Sequence, residues 1–219
     1  MTELTKAKTR RRKEARPAEI IEAGIAEFAA HGFERARLDR IARAAGISKG
    51  TIYLYYPSKE ALFLAAVEEH VISVMAENET ALETFEGSTA EMLTGLLRGI
   101  YKRFVEGRAQ ALFRILITEG DRIPDVVSSY HTMTIKRGTS LLRRILERGV
   151  ERGEVAESAI LQNPQIVIAP AVFFALHNMM FSAAGELEFD SYFEAHVQLV
   201  MNGVMRHDGA QHSQSLQQY

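Results

Sequence analysis

The segment 38–63, which reads LDRIARAAGISKGTIYLYYPSKEALF, constrains the fold more than any other part of this 219-residue chain. Its first part places apolar side chains at spacings of three and four, as one face of a short helix requires. Gly46 follows where that helix must end, and Ser48 can cap a second helix that begins at Lys49. Two short helices joined by a glycine-containing turn predict a helix-turn-helix, whose second helix has the width that the major groove of DNA admits.

The residues of this motif also carry a resemblance to a known family. The run IARAAGISKGTIYLYYPSKEALF resembles the helix-turn-helix of TetR-type transcriptional regulators. Residues 20–33, IIEAGIAEFAAHGF, are similar to that family's first helix with its His-Gly-Phe ending, and the resemblance extends over residues 16–70. It implies an all-α fold, with an N-terminal three-helix helix-turn-helix DNA-binding domain and a C-terminal helical ligand-binding and dimerisation domain.

The chain is expected to divide into four parts with different charge. They are a basic flexible arm at 1–16, a helix-turn-helix DNA-binding domain at 17–62, an effector-binding and dimerisation domain at 63–207 and a disordered tail at 208–219. Residues 1–60 carry a net charge of +5, and the remainder carries −7. The seven basic residues of the arm suit contact with phosphates or the minor groove. A solvated tail is the alternative, but the adjacent helix-turn-helix favours contact with DNA.

Apolar periodicity and capping residues predict helices along the chain, and no strand pattern is found. We expect the first helix to open at Pro17 and to end at Gly32. After the helix-turn-helix, the expected helices cover 58–83, 88–105, 109–119, 124–152, 163–184 and 190–205. Pro170 falls inside one of them and should either kink it or mark its true start.

Nine residues are expected to form the DNA-contacting surface. They are Arg37, Ser48, Lys49, Gly50, Thr51, Tyr53, Leu54, Tyr55 and Lys59. Lys49 is expected to pair with a phosphate, and Gly50 to let the backbone approach DNA closely. Thr51 can contact a base edge or a thymine methyl, or it can act as a second hydroxyl at the start of the helix.

Other positions of this surface are interpreted through the resemblance. Tyr53 and Tyr55 resemble a pair of phosphate-contacting aromatics, with core packing the alternative for Tyr55, and Lys59 resembles a lysine that clamps the DNA backbone. Arg37 stands where relatives usually have a capping Ser or Thr, so we expect that cap to be lost; its guanidinium can reach a phosphate or a guanine. Leu54 stands where many relatives have histidine or another polar or aromatic residue, and it either touches a thymine methyl or is merely tolerated.

The C-terminal half contains two further candidate surfaces. The resemblance implies a dimer interface on the last two helices, with the candidates Ile166, Val167, Phe173, Met180, Phe181, Phe193, Val197, Val200 and Val204. An effector pocket would lie among the middle helices, with the candidates Phe104, Phe113, Leu116, Ile117, Tyr130, Met133, Phe174 and His177. Plain core packing is the alternative for this second set. A pocket of this composition would favour an apolar or aromatic molecule.

Several other classes of protein are disfavoured. The chain has no cysteine, which suits a reducing cytoplasm, and no apolar segment follows its basic start, so we do not expect a secretory signal. Its longest apolar run, at 166–176, has 11 residues, which is too short for a membrane span. The run GISKG at 46–50 fits the G-x-S-x-G pattern of a serine nucleophile, but a helix and not a strand precedes it. No two of the seven histidines are spaced i, i+4, so we expect neither a metal nor a cofactor.

These features predict a cytoplasmic, homodimeric transcriptional regulator, which the resemblance makes a repressor. We expect it to bind a near-palindromic operator in double-stranded DNA and to release it when a small apolar or aromatic effector binds. The alternative is a DNA-binding regulator or architectural protein without an effector. A filled core beside Phe113 and His177 would favour that alternative.

Overall fold

A computed structural model of the chain describes residues 3–105 and 107–206, with all side chains except those of 3–15, 72–74, 77, 78 and 81. These residues are almost entirely helical, and their β structure is limited to an isolated bridge between Val155 and Met205. The helices are α1 (Glu3–Arg35), α2 (Leu38–Ala44), α3 (Lys49–Tyr55), α4 (Lys59–Val67), α5 (Ser73–Thr84), α6 (Thr89–Val105), α7 (Arg108–Glu119), α8 (Pro124–Tyr130), α9 (Arg137–Glu151), α10 (Ala169–Phe181) and α11 (Phe189–Val204).

The first helix differs from the prediction at its start and agrees with it at its end. Helix α1 begins at Glu3, so the predicted start at Pro17 is wrong, and Pro17 lies inside the helix. An interior proline removes one helical hydrogen bond, and the lysines, arginines and alanines before it are good helix formers. The backbone breaks at Gly32, where φ is 74° and ψ is 172°. Of the predicted arm at 1–16, the first two residues and the side chains of 3–15 lie outside the described part, as does the predicted tail at 208–219.

Two long helices carry a π-helical segment in their middle. The predicted helix at 58–83 is continuous but consists of α4, a π segment at Glu68–Ile72 and α5. The predicted helix at 124–152 likewise consists of α8, a π segment at His131–Lys136 and α9. The two π segments pack against each other. A π segment widens one turn of a helix, and such turns often occur at functional sites.

The buried side chains form two cores. The first, which we call the head core, lies under α2 and α3 and contains three phenylalanine rings, Phe28, Phe33 and Phe63, whose centroids are 5.4–5.7 Å apart. It also includes Leu112 and Val126, which come from α7 and α8. The second, which we call the body core, surrounds the fully buried Tyr101 with residues of α6, α9, α10 and α11. The packing of the head therefore continues beyond the predicted domain boundary after residue 62.

The last two helices begin at different residues from those expected. A 3₁₀ segment at Pro164–Ile168 precedes α10, and Pro170 is in the first turn of α10. Proline is well suited to that position, because the first amides of a helix have no intrahelical partner. Pro170 therefore marks the start of the α-helix. Helix α11 begins at Phe189 because the carboxylate of Glu188 accepts hydrogen bonds from the amides of Asp190 and Ser191.

Candidate nucleic-acid interface and ligand cavity

The turn between α2 and α3 has the geometry that its sequence predicts. Gly46 has a φ of +65°, and its amide donates to the Arg43 carbonyl at 3.1 Å. The amide of Ile47 donates to the Ala42 carbonyl at 2.9 Å, so the two bonds form a Schellman ending for α2. Ser48 then caps α3, since its Oγ accepts from the amide of Thr51 at 3.1 Å. These local bonds set the angle at which α3 leaves α2.

Helix α3 presents one polar and one buried side. Ile52 is completely buried in the head core, which fixes the rotation of the helix about its axis. Lys49, Gly50 and Tyr53 lie on the opposite, exposed side. Thr51 is half-buried, and its hydroxyl is 2.8 Å from that of Ser48. The arrangement leaves a lysine, a glycine and a tyrosine free to meet a nucleic-acid surface.

Two apolar or aromatic residues of α3 have contrasting environments. Leu54 is 83 % exposed, more than any other large hydrophobic side chain in the described part. Tyr55 is half-buried and packs against the head core, as the alternative interpretation of that residue requires. A leucine held in solvent at the exposed end of a reading helix is available to contact a thymine methyl.

The start of α2 is held by a carboxylate from α1. No side-chain hydrogen bond from Arg37 caps α2, as expected. Instead, Glu27 Oε1 accepts from the backbone amide of Arg37 at 3.0 Å and from Arg40 Nε at 2.6 Å. The exposed Arg37 guanidinium lies 3.2 Å from Asp39. Glu27 therefore replaces the missing cap, and the Arg37 side chain remains at the surface.

Lys59 has partners within the head. Its ammonium donates to the Glu34 carbonyl at 3.0 Å and approaches the Ala36 carbonyl at 3.4 Å. It also lies 4.6 Å from the centroid of the Phe33 ring. An ammonium group has three N–H donors, so these contacts leave one of them available for a phosphate. Lys59 thus ties α4 to the α1–α2 connection as well as presenting a charge.

A carboxylate from α7 holds the break in α1. The two oxygens of Glu119 accept hydrogen bonds from the amides of Phe33, at 3.0 Å, and Glu34, at 2.8 Å. A Cβ atom on Gly32 would collide with the same carboxylate, and the positive φ of Gly32 also disfavours a side chain. Glu119 and Gly32 therefore form one junction, which attaches the end of α7 to the head.

A cavity of about 400 Å³ lies between the two cores. Its wall comes mainly from α6, α7, the π segment at 131–136, α9 and the start of α10 with the 3₁₀ segment before it, and most of the lining side chains are apolar. The polar groups in the wall belong to Arg103, Tyr130, Thr134, Thr139 and Gln165. Its volume falls within the range of roughly 300–1,000 Å³ typical of small-molecule sites.

Three of the eight predicted pocket residues line this cavity, namely Phe104, Phe113 and Tyr130. The other five do not line this cavity. Leu116 and Met133 pack against the head core, and Ile117 is 47 % exposed. Phe174 is buried in the body core against Tyr101, and His177 lies between the rings of Phe173 and Phe181 on the outer side of α10. Helical spacing identified apolar residues but not the side of the helix that faces the cavity.

Comparison with known proteins decides the family. The profile described as bacterial regulatory proteins, tetR family, matches residues 20–66. The profile described as tetracyclin repressor-like, C-terminal domain, matches residues 86–198, which is about half of the chain. The chain belongs to the TetR family. Its helix-turn-helix and its all-helical body are those expected of a TetR-family regulator, and it is a transcriptional regulator and not an enzyme.

TetR-family relatives match different portions of the chain. The HTH-type transcriptional repressor SCO4008 of Streptomyces coelicolor is 40% identical over 74 residues, which is 34% of this chain and 38% of that protein. The probable acrEF/envCD operon repressor of Escherichia coli is 28% identical over 202 residues, which is 89% of this chain and 86% of that protein.

Solved TetR-family structures share the fold. The structure of SmeT in complex with triclosan has a TM-score of 0.72 and 20% identity, and it covers 89% of this chain and 93% of its own. The structure of FadR from Bacillus subtilis in complex with stearoyl-CoA has a TM-score of 0.68 and 21% identity, covering 85% of this chain and 98% of its own.

The outer sides of α10 and α11 carry the exposed apolar residues of this TetR-family body. Ile166, Phe173 and Met180 are 55–65 % exposed and follow one another at intervals of seven, so they lie on one side of the α10 region. Phe181 and Leu199 extend the surface. We call these five residues the outer face.

Five predicted interface residues lie elsewhere. Val167, Phe193, Val200 and Val204 are buried within the body core, so their assignment to the interface is wrong, and Val197 is half-buried against the same core. The residues at 193, 196, 200 and 204 recur at spacings of three and four and all face inward. An apolar stripe predicts burial, but it does not show whether the same chain or a second copy covers it.

The stretch Pro164–Phe181 is the one part of the described chain that is long and apolar enough to pass for a membrane span. It exceeds the 11-residue run considered above because it includes the interrupting polar residues Gln165, His177 and Asn178. One side of it, including Ala171 and Phe174, is buried against the body core. Insertion into a bilayer would have to pull that side away from its packing.

Sequence reasoning missed the residues that act across long separations. Glu27 and Glu119 hold the start and the base of the helix-turn-helix, and Arg103 and Thr134 lie in the wall of the cavity. The signal for Gly32 was visible, since a glycine must occupy a backbone with positive φ. The identity of its partner, 87 positions later, was not visible, because a glutamate near a helix end has many possible roles.

Proposed function

We propose that this protein is a homodimeric repressor that holds a near-palindromic operator through α3 and releases it when a small apolar or aromatic molecule enters the cavity. The observation that carries the proposal is the apolar cavity of about 400 Å³ between the head core and the body core. SmeT and FadR, which share the fold, have been solved with triclosan and stearoyl-CoA respectively. A cavity that adjoins the reading head gives a ligand a physical route to the DNA contacts.

The proposed DNA surface consists of two kinds of residue. Lys49, Tyr53 and the remaining donor of Lys59 supply hydrogen bonds to phosphates, which position a protein on DNA without reading its sequence. Leu54 and Arg37 project from the surface and are the proposed sequence-reading side chains, through a thymine methyl and a guanine edge. Gly50 lets the backbone approach the duplex. The proposal for Tyr55 is a contact through its exposed edge only, since the rest of the ring packs in the head.

The proposed dimer uses the outer face. Five large apolar side chains are exposed there, and isolated proteins rarely leave such contiguous apolar surface in water. The interval of seven between Ile166, Phe173 and Met180 suits packing against the equivalent helices of a second copy. A two-fold dimer sets two α3 helices at a fixed spacing, and half-sites of the operator must match that spacing.

The proposed release is a shift between two populated arrangements of the dimer. A ligand can favour release only if it binds more tightly to the arrangement in which the two heads are wrongly spaced. Helix α7 contributes Ala109 and Phe113 to the cavity and Glu119 to the Gly32 junction. A change in the cavity wall therefore has a direct mechanical path to the base of the helix-turn-helix.

A regulator without an effector is the second candidate function. A filled core would favour it, and the cavity beside Phe113 counts against it. His177, the other residue whose surroundings were to decide the matter, lies at the outer face and does not bear on it. We place the protein in the cytoplasm, where an operator in chromosomal DNA is accessible.

The proposal is tested by fluorescence anisotropy with labelled DNA from upstream of the protein's own gene and with random DNA, over a series of salt concentrations. We expect specific affinity at least about 10³-fold above that for random DNA, with two chains bound per site. Equal and steeply salt-dependent binding to both DNAs would contradict sequence-specific recognition of that region.

A variant with a filled cavity tests the effector response. Val172 lines the cavity, so Val172→Phe should occupy part of its volume, leave operator binding intact and abolish release by any molecule that acts through the cavity. Val105→Phe, the same substitution at an exposed valine of α6 that does not line the cavity, is the matched control in the release assay. If Val172→Phe still releases DNA to the same extent, the effector does not act through the cavity.

A further inference from the structure

The polar groups of the cavity differ in how completely they are paired. Arg103 is the only charged residue among those described in the wall. Its Nη1 donates to the His70 carbonyl at 3.4 Å, and no carboxylate in the described part of the chain lies within ion-pair distance of its guanidinium. A guanidinium has five N–H donors in a planar fork. Most of the hydrogen-bonding capacity of Arg103 is therefore not taken up by the described residues of the chain.

A second wall group is buried and has no partner. Thr134 is 5 % exposed, and its Oγ1 has no hydrogen-bond partner in the part of the chain that the structure describes. Leaving a buried hydroxyl unpaired is unfavourable, and native proteins keep few such groups. Thr134 lies in the π segment at 131–136, one of the two segments that pack together beside the cavity. Thr134 lines the cavity, but its Oγ1 has almost no accessible surface, so the hydroxyl is enclosed within the wall.

The hydroxyl of Tyr130 adds a third polar group. Burial raises the pKa of Tyr130 to about 12, so the phenol keeps its proton at neutral pH and can donate it in a hydrogen bond. The remaining wall contains no aspartate or glutamate among the described residues. A cationic ligand would therefore meet an unpaired arginine and no counter-charge.

We infer that the effector is an amphipathic organic anion, whose apolar body fills the cavity and whose carboxylate, or a comparable anionic group, pairs with Arg103. The inference rests on the proposed function and names the chemical class of its ligand. An anion supplies the partner that Arg103 lacks, because a guanidinium binds a carboxylate through two parallel hydrogen bonds. The hydroxyl of Tyr130, which also lines the cavity, offers an additional hydrogen bond to a polar atom of the ligand.

The same contact connects ligand binding to the head. The His70 carbonyl that receives the Arg103 bond belongs to the π segment between α4 and α5. The His70 ring lies 3.3 Å from the carboxylate of Glu22 on α1, and that carboxylate also accepts a hydrogen bond from Arg108 at 2.8 Å. An anion that takes the guanidinium away from His70 changes the hydrogen bonding of this π segment. Arg103 thereby acts on α4 and α1 as well as on the ligand.

The test uses three probes with the same alkyl chain and different head groups, namely decanoate, 1-decanol and decyltrimethylammonium. Isothermal titration calorimetry on the full-length protein should show that decanoate binds most tightly and the cation least tightly. In Arg103→Met, decanoate should bind roughly 10- to 100-fold more weakly, as expected for loss of a charged hydrogen-bond partner. The affinity for 1-decanol should remain unchanged in that variant.

Arg143→Met is the matched control for this substitution, because Arg143 is exposed on α9 and does not line the cavity. It removes the same charge and should leave all three affinities unchanged. Equal binding of decanoate and 1-decanol, or undiminished decanoate binding by Arg103→Met, would overturn the inference.

A second measurement needs no ligand. If Arg103 is a ligand-binding group, Arg103→Met should leave the urea midpoint of the free protein unchanged, whereas Thr134→Val, which removes a buried unpaired hydroxyl, should raise it. Loss of stability in both variants would assign them structural roles and would overturn the inference even if no probe binds.

DNA release separates this inference from the proposed function. Release of operator DNA by 1-decanol but not by decanoate would keep the effector response and overturn the anionic assignment. If decanoate binds in an Arg103-dependent way and leaves the DNA bound, the anion site stands and the proposed release does not.

Discussion

The head core and the body core of this protein contain similar side chains, but they differ in how much of each core borders the cavity. Each core centres on an aromatic cluster, formed by Phe28, Phe33 and Phe63 in the head and arranged around Tyr101 in the body. Of the buried core residues, the body contributes Leu96, Leu141 and Leu142 to the wall of the cavity of about 400 Å³, whereas the head contributes Leu112 alone. The side chains beneath the DNA-reading helix are closely packed, whereas those beside the proposed ligand site border a cavity and have room to change position.

The largest effect that sharpens this comparison is expected from truncating one aromatic residue of the head core and one of the cavity wall. Phe63→Ala should lower the free energy of unfolding by roughly 3–5 kcal/mol, because it leaves a hole in close-packed surroundings. Phe113→Ala should cost clearly less, since Phe113 is half-buried and already borders empty space. Urea denaturation of both variants measures the difference. Equal losses would mean that the cavity wall is packed as tightly as the head core.

The junction between the two regions should give the next largest effect. In Glu119→Ala, the amides of Phe33 and Glu34 lose a charged acceptor, which should cost roughly 1.5–3 kcal/mol. Operator affinity should also fall, because the base of the helix-turn-helix is no longer held. Asp121→Ala, a nearby exposed carboxylate, is the control in denaturation and DNA binding. If Glu119→Ala keeps its stability and its operator affinity, the Glu119 hydrogen bonds do not hold the head to the body.

A substitution on the reading helix should affect the head alone. Tyr53→Ala should weaken binding to all DNA sequences by roughly tenfold, as expected for a lost phosphate hydrogen bond. It should leave stability and ligand affinity unchanged, since Tyr53 is 47 % exposed. Anisotropy on operator and random DNA measures the effect. A changed sequence preference at constant affinity would show that Tyr53 reads a base.

The smallest effect is a pH dependence confined to the body. His196 is 3 % exposed; its Nε2 lies 2.9 Å from the Val167 carbonyl, so that nitrogen must donate, and its Nδ1 accepts from Tyr101 at 2.9 Å. Burial lowers the pKa of His196 below its ordinary value of 6.5. The contribution of neutral His196 to the free energy of unfolding is therefore fully present above pH 6.5. It is lost as the pH falls through the folded-state pKa, because the unfolded chain binds the proton more readily.

Urea midpoints measured between pH 7.5 and pH 5 test this dependence. His196→Gln should flatten the profile between those values, whereas His131→Gln, which alters an exposed histidine, should not. A profile that is unchanged by His196→Gln would attribute the loss of stability to other groups.

Short-range features of the structure could be predicted from the sequence, and long-range ones could not. Gly46 and Ser48 set the turn of the helix-turn-helix through bonds to residues within five positions, so their chemistry is readable directly. The predicted pocket combined residues that face the cavity, such as Phe113, with others that face away, such as His177. Periodicity gives the apolar side of each helix, but the rotation that directs it toward a neighbour depends on the packing of the whole bundle.

The outer face shows the same limit. Phe173 and Val200 are both apolar residues of the last two helices, yet one is exposed and the other is buried in its own chain. Helices of the same chain cover Val200, whereas no described part of the chain covers Phe173 to the same extent. The π segments were also not predicted, because they require no special residue and arise from how α4, α5, α8 and α9 pack together.

The Gly32–Glu119 junction has a consequence for building chimeric regulators. The carboxylate occupies the space that a side chain at position 32 would need, and the residue at 32 must tolerate a positive φ. A head taken from this protein and joined to another body would keep two unsatisfied amides unless that body offered an acid at the end of its corresponding helix. The glycine and the glutamate are therefore a matched pair that has to be transplanted together, even though the usual point of exchange after the helix-turn-helix would separate them.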